Sequence, residues 1–167
     1  MSDSDDLAVL VQSVGTTLSQ NRLKLATVES CTGGWIAQSI TSVSGCSGWF
    51  ECGFVTYSNA AKHAQVGVPE VLIAERGAVS APVARAMARG GLDQCPADVA
   101  LSVTGIAGPG GGSEEKPVGT VFICWAARPD RVRTEQFLFE GDRDAVRRQS
   151  VLEALGGLLR FLREEES

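Results

Sequence analysis

Four short stretches hold side chains able to do chemistry. Glu29-Ser30-Cys31-Thr32-Gly33-Gly34 brings a carboxylate, two hydroxyls and a thiol together just before two glycines. Serine attacks only when a base removes its proton, whereas cysteine is intrinsically the better nucleophile. Neighbours in a turn point in different directions, so one of Ser30 and Cys31 is expected to face a ligand, and the sequence favours neither. A Ser or Thr here is equally an ordinary helix N-cap. In Tyr57-Ser58-Asn59-Ala60-Ala61-Lys62, the lysine is a base only if burial or a nearby cation lowers its pKa; otherwise it is a solvated lysine on a short surface helix. His63 has no evident carboxylate to orient it and is read as structural. Thr104-Gly105-Ile106-Ala107-Gly108-Pro109-Gly110-Gly111-Gly112 can wrap phosphate with backbone N–H groups, or serve as a flexible crossover. It is not a P-loop, because no Gly-Lys-Ser/Thr follows. It is not a dinucleotide fingerprint, because no helix follows it directly. Gly141-Asp142-Arg143-Asp144-Ala145-Val146-Arg147-Arg148 puts arginines at a helix start, against the macrodipole. One of them could hold a ligand phosphate or carboxylate, the alternative being ion pairs with Asp142 and Asp144.

The elements that would position these residues follow from periodicity. Leu7, Leu10, Val11, Val14 and Leu18 predict an amphipathic helix over 5–20. The apolar run 23–28 predicts a buried strand, and 33–43 a helix, so the Glu29–Gly34 stretch lies where a strand becomes a helix. In an open α/β sheet ligands bind there, and a helix N-terminus adds free N–H groups. A strand over 49–57, a short helix capped by Ser58 or Asn59, and a helical piece at 70–75 come next. Ser80 caps an alanine-rich helix over 81–94, whose small residues predict tight packing against the sheet or another subunit. Val99–Val103 is a strand buried on both faces. Strands over 118–126 and 132–139 form a hairpin, the second suited by its partial alternation to an edge or antiparallel position, and the helix 143–163 turns Val146, Leu152, Leu155, Leu158, Leu159 and Leu162 inward. The expected fold is a single three-layer α/β/α sandwich around a mixed, mainly parallel sheet over residues 1–167, with mobile tails at 1–5 and 164–167.

Composition sets limits on function. The net charge of −5 argues against a general nucleic-acid binder. No apolar run approaches the roughly 20 residues that span a bilayer, and the acidic start Met1-Ser2-Asp3-Ser4-Asp5-Asp6 resembles no signal or transit peptide. A cytoplasmic protein with no membrane or nucleic-acid partner is expected. The five cysteines, at 31, 46, 52, 95 and 124, include no zinc or redox spacing, and with His63 the only histidine a zinc site is not expected. Cys95 and Cys124 read as small buried apolar side chains. The alanine-rich helix, with Trp49 and Phe50 read as exposed, points to self-association.

Taken together, Glu29–Gly34, Gly53-Phe54-Val55-Thr56-Tyr57-Ser58-Asn59 with Lys62, Thr104–Gly111, Gly119-Thr120-Val121 and Gly141-Asp142-Arg143 resemble the CinA C-terminal domain family from about Leu7 to Leu162. Members are stand-alone nicotinamide-nucleotide amidases or the C-terminal half of the competence/damage-inducible protein CinA; the length is similar to the stand-alone form, without the molybdopterin-binding-like domain. The resemblance implies hydrolysis of nicotinamide mononucleotide to nicotinate mononucleotide and ammonia in pyridine nucleotide salvage, with no metal or cofactor, in a homodimer or larger homo-oligomer. By resemblance Ser30 is the nucleophile, and Tyr57 and Lys62 assist it, with Lys62 taking the proton directly or through Tyr57. Backbone N–H groups near Cys31, Thr32 and Gly33 hold the oxyanion. Ser47, Thr104, Gly105, Gly108 and Gly110 belong to the substrate pocket, with Arg147 the first choice and Arg143 the second for the arginine. Two rival expectations stand beside this one: a non-catalytic nucleotide-binding or competence- and DNA-damage-associated partner module, and a hydrolase that uses Cys31.

Overall fold

The computed structural model describes residues 2–164. Met1 and 165–167, which belong to the expected tails, lie outside the described residues. The chain runs α1 (Asp3–Gln20), β1 (Leu25–Glu29), α2 (Trp35–Thr41), a one-turn 3₁₀ helix (Cys46–Gly48), β2 (Phe50–Val55), α3 (Asn59–Val66), α4 (Glu70–Arg76), α5 (Ala81–Gln94), β3 (Val99–Gly105), β4 (Thr120–Ala127), β5 (Arg131–Leu138) and α6 (Arg143–Arg163). The five strands lie in the order β2-β1-β3-β4-β5. β1 pairs in parallel with β2 and β3, while β3–β4 and β4–β5 are antiparallel, so β4 alone opposes the common direction. β5 is both an edge strand and antiparallel to its neighbour, the two positions its alternation suits.

Element limits shift for local reasons. α1 begins at Asp3 rather than inside a tail because Ser2 and Asp5 form a capping box, Asp5 accepting from the Ser2 amide at 3.0 Å. Glu164 likewise is no loose tail: it pairs with Arg133 and ties α6 to β5. Leu23 does not enter β1, because its N–H closes α1 on the Leu18 carbonyl. α2 starts two residues later than the pattern suggests. Gly33 and Gly34 sit at φ +60° and +98°, a conformation that costs other residues energy and that breaks the helix.

Two layers of helix cover the sheet. Leu25, Leu101, Val103, Val121, Ile123 and Trp125 face α1, α2 and α6. Ala26, Ala100, Phe122 and Cys124 face α5, and Val28 meets α3, α4 and α5. The small residues of α5 are spent inside this chain. A side chain at Gly90 would strike the Val66 carbonyl of α3, and one at Gly91 would lie 2.6 Å from Val28 on β1. Trp49, expected to be exposed, is buried, because Gly15 on α1 leaves room for its indole. Leu152 is only half-buried; Val151, Ala154 and Phe161 fill that part of the core instead. No helix among the described residues is long and apolar enough to cross a membrane.

The α6–β4 contact gives a sharp stability test. The Trp125 ring lies against Gly157, where a Cβ would overlap it, and its indole N–H donates to the Ala154 carbonyl at 2.9 Å. Gly→Ala inside a helix ordinarily stabilises by up to about 1 kcal/mol. At Gly157 the sign is expected to reverse, with a loss of about 1–3 kcal/mol from overpacking. Gly156→Ala, one residue away and facing only the flexible Arg160 side chain, is expected to be neutral or stabilising. Urea unfolding of the two variants side by side reads the difference.

Candidate active site

The carboxyl ends of β1, β2 and β3 converge where β1, followed by β2 on one side, receives β3 on the other. Such a switch point leaves a crevice outside the strand ends. Ser30 continues the β1 ladder by one bond, its N–H donating to the Val103 carbonyl at 2.9 Å, and on the other side the Thr56 N–H donates to the Glu29 carbonyl at 2.8 Å. Ser30 is thereby fixed between the ends of β2 and β3. After Tyr57 the chain enters α3, where the Ser58 hydroxyl accepts from the Ala61 amide at 3.0 Å as N-cap. Lys62 follows in the first turn of α3.

Lys62 is not solvated; it is 1 % exposed. Its Nζ lies 3.0 Å from Ser30 Oγ, 2.9 Å from the Thr56 carbonyl and 3.0 Å from the Tyr57 carbonyl. These three partners match the three protons of an ammonium. In the neutral amine, two N–H groups can stay on the two carbonyls, and the lone pair is then directed at the Ser30 hydroxyl. Burial pushes the Lys62 pKa down, with a smaller opposing effect from Cys31, so the neutral form is more accessible than in a solvated lysine.

Cys31 lines the same cavity as Ser30 and is also part of the buried apolar core beside it. Their chemistry differs. Burial pushes the Cys31 thiol up to about 12, which keeps it protonated and a poor nucleophile. Among the described residues no base is hydrogen-bonded to its Sγ as Lys62 is to Ser30 Oγ.

Glu29 is fully buried and its carboxylate accepts from the Ile36 amide at 2.8 Å and the Ala37 amide at 3.1 Å. Burial raises its pKa, while those amides and the Thr32 hydroxyl act the other way. The α2 N-terminus is therefore filled by the protein's own carboxylate, and the expected use of that helix end for a ligand anion is corrected. Gly33 N–H is also taken, by the Ser30 carbonyl at 3.0 Å.

The cavity encloses about 280 Å³. Its floor is Ser30, Lys62 and Thr104, and one wall is the glycine-rich loop through Gly105, Gly108 and Gly110. Thr104 donates its hydroxyl to the Ala78 carbonyl at 2.9 Å, so toward any further partner its oxygen can only accept. Lys62 and Arg143 bring positive charge to the lining, and among the described residues no carboxylate lines it. Arg143 Nη1 donates to the Gly108 carbonyl at 2.7 Å and Nη2 approaches the Tyr57 phenol oxygen at 3.3 Å, spanning the rim.

Four expected positions lie elsewhere than the sequence suggests. Arg147, preferred over Arg143, lies outside the lining; its Nε and Nη2 donate to the carbonyls of Cys31 and Thr32 at 3.1 and 3.3 Å, from behind the turn. Tyr57 does not stand between Lys62 and Ser30, since its phenol is at the exposed rim and only its carbonyl meets Lys62. Ser47 is exposed and sits at the amino ends of β1 and β2, where its carbonyl accepts from Lys24; a five-residue strand, roughly 16 Å, separates it from the cavity. Thr32 is buried beneath the turn and does not line the cavity. Asn59, Ala78 and Val79, which nothing in the sequence singled out as site residues, do line it. The only available signal was that Asn59 follows Tyr57-Ser58 at a strand end. His63 pairs its Nδ1 with the Val68 carbonyl at 2.9 Å, a structural role. Among the described residues no cluster of three or more His, Cys, Asp or Glu side chains could hold a metal.

A family model described as the CinA C-terminal domain matches residues 7–162. The chain is 51% identical over 157 residues to nicotinamide-nucleotide amidohydrolase PncC of Pseudomonas putida, covering 94% of this chain and 98% of that protein. It is 52% identical over 158 residues to a CinA-like protein of Akkermansia muciniphila, where the match covers 95% of this chain but 38% of the longer relative. Among solved structures, the competence/damage inducible protein CihA of Agrobacterium tumefaciens superposes with a TM-score of 0.90 at 40% identity, covering 93% of this chain and 94% of that one.

Proposed function

The chain belongs to the CinA C-terminal domain family, and from that premise we propose that it hydrolyses the carboxamide of nicotinamide mononucleotide, giving nicotinate mononucleotide and ammonia. The supporting relative is a nicotinamide-nucleotide amidohydrolase matched over nearly its whole length. The observation that carries the mechanism is the buried 3.0 Å contact between Lys62 Nζ and Ser30 Oγ at the floor of the cavity.

In this reading Lys62 takes the Ser30 proton as Oγ adds to the carboxamide carbon. The tetrahedral intermediate collapses as its C–N bond breaks, and the Lys62 ammonium returns the proton to the departing ammonia. Water then gives a proton to Lys62 as its oxygen adds to the ester, and Ser30 leaves with that proton. The nucleotide phosphate is held at the positive rim by Arg143 and the glycine loop. The protein is further proposed to work in the cytoplasm as a homodimer or larger homo-oligomer.

The test is ammonia release from nicotinamide mononucleotide by the purified protein in EDTA, with the product identified by mass. Binding without ammonia release would replace this reading with that of a nucleotide-binding module. Arg143 gives a second test. Hydrogen bonds to charged groups contribute about 1.5–3 kcal/mol, so Arg143→Ala is expected to raise KM roughly 10- to 100-fold with kcat little changed. On nicotinamide riboside, which lacks the phosphate, the same substitution is expected to cost far less in kcat/KM. An equal loss on both substrates would remove Arg143 from phosphate binding.

A further inference from the structure

The turn that carries Ser30 is held from behind by a residue that does not line the cavity. Arg147, half-buried on α6, forks across two consecutive carbonyls, Nε to Cys31 and Nη2 to Thr32, and its guanidinium lies 5.4 Å from the Trp35 ring centre. In a trans peptide the N–H points opposite to the C=O of the same plane. With the Cys31 carbonyl fixed on Arg147, the Thr32 N–H is turned away from Arg147. With the Ser30 carbonyl closed on the Gly33 amide, the Cys31 N–H is turned out of the turn as well. Among the described residues neither N–H makes a backbone hydrogen bond. Thr32 is fully buried and outside the cavity lining, so the N–H of this turn that a cavity ligand meets is that of Cys31.

We propose that Arg147 is a positioning residue that fixes the turn through the Cys31 and Thr32 carbonyls, so that the Cys31 N–H holds the oxyanion formed when Ser30 adds to the carboxamide. The proposal rests on Ser30 being the nucleophile. It gives Arg147 a role separate from that of Arg143: one arginine acts on the transition state through the backbone, and the other on the substrate's anionic end.

The test compares wild type, Arg147→Gln and Arg147→Lys. Loss of one oxyanion donor elsewhere costs about 10²–10³ in kcat. Arg147→Gln is expected to lower kcat about 100-fold with KM within about threefold. Arg147→Lys, which keeps the charge but cannot fork both carbonyls, is expected to fall between the two. A boronic-acid analogue of the carboxamide forms a tetrahedral adduct on Ser30 that carries the oxyanion. Its affinity is expected to fall in parallel with kcat/KM, while affinity for the planar product nicotinate mononucleotide stays unchanged. If boronate affinity is unaffected, or falls no more than product affinity, Arg147 is only a structural brace. Arg147→Lys carries the comparison should Arg147→Gln fail to fold, as read by thermal melting. An enzyme still active as Ser30→Ala overturns the nucleophile assignment, a failure distinct from that of Arg147.

Discussion

Ser30→Ala is expected to abolish ammonia release, with kcat down by about a millionfold, the scale seen when a serine hydrolase loses its nucleophile, while nicotinamide mononucleotide still binds. The size of the effect follows from what remains. Cys31 lines the same cavity, but its thiol is pushed up to about 12 by burial, so it is not a thiolate near neutral pH and cannot take over. Lys62 also stays, but its Nζ is committed to the carbonyls of Thr56 and Tyr57, and those bonds aim it at the position of Ser30 Oγ rather than at the substrate. Removing one hydroxyl changes little else, because Ser30 is held through its backbone, N–H to Val103 and carbonyl to Gly33. Affinity is therefore expected to change by no more than a few-fold by calorimetry. Cys31→Ala is the matched control and is expected to keep activity of the wild-type order. The reverse pattern, with Cys31→Ala inactive and Ser30→Ala active, would assign the reaction to the thiol.

Sequence patterns locate the strands, the covering helices and the loops at the strand ends well, because each signal is local. Apolar runs mark β1 and β3, a serine marks the caps of α3 and α5, and partial alternation suits β5 to an edge or antiparallel position. What sequence cannot supply is the rotation of a helix about its own axis and the end of the sheet that a loop occupies. Lys62 reads as a solvated lysine, yet its place in the first turn of α3 turns it back under the ends of β1 and β2. Arg143 and Arg147 are one helical turn apart, so periodicity treats them alike. The packing of α6 on α1 sets one at the rim and the other behind the Ser30 turn. Ser47 precedes β2 while the chemistry follows β2, and only topology separates those two ends. Glu29 illustrates the converse. Its type and position suggest a reacting carboxylate, but two amide bonds from α2 make it a buried brace.

Lys62→Ala is expected to reduce kcat by about 10³–10⁴-fold, near the upper end for loss of a general base, and to remove the acid limb of the pH–rate profile. Lys62 must be neutral to accept the Ser30 proton. Burial holds its pKa below the ordinary 10.5, so kcat/KM is expected to rise with pH through that lowered value and then level off. Stability should respond in the same window. Between the lowered folded pKa and the unfolded value near 10.5, the unfolded chain binds more protons than the folded one, so stability rises with pH there. Below the folded pKa both states carry the proton, and this contribution to the slope vanishes. Lys62→Met, which fills the space without a titrating group, is expected to flatten that part of the stability profile while leaving the enzyme inactive. Two independent observables, a rate and an unfolding free energy, then report one ionisation. If the acid limb survives in a residually active Lys62→Ala enzyme, or the stability slope survives in Lys62→Met, the titrating group lies elsewhere and Lys62 is not the base.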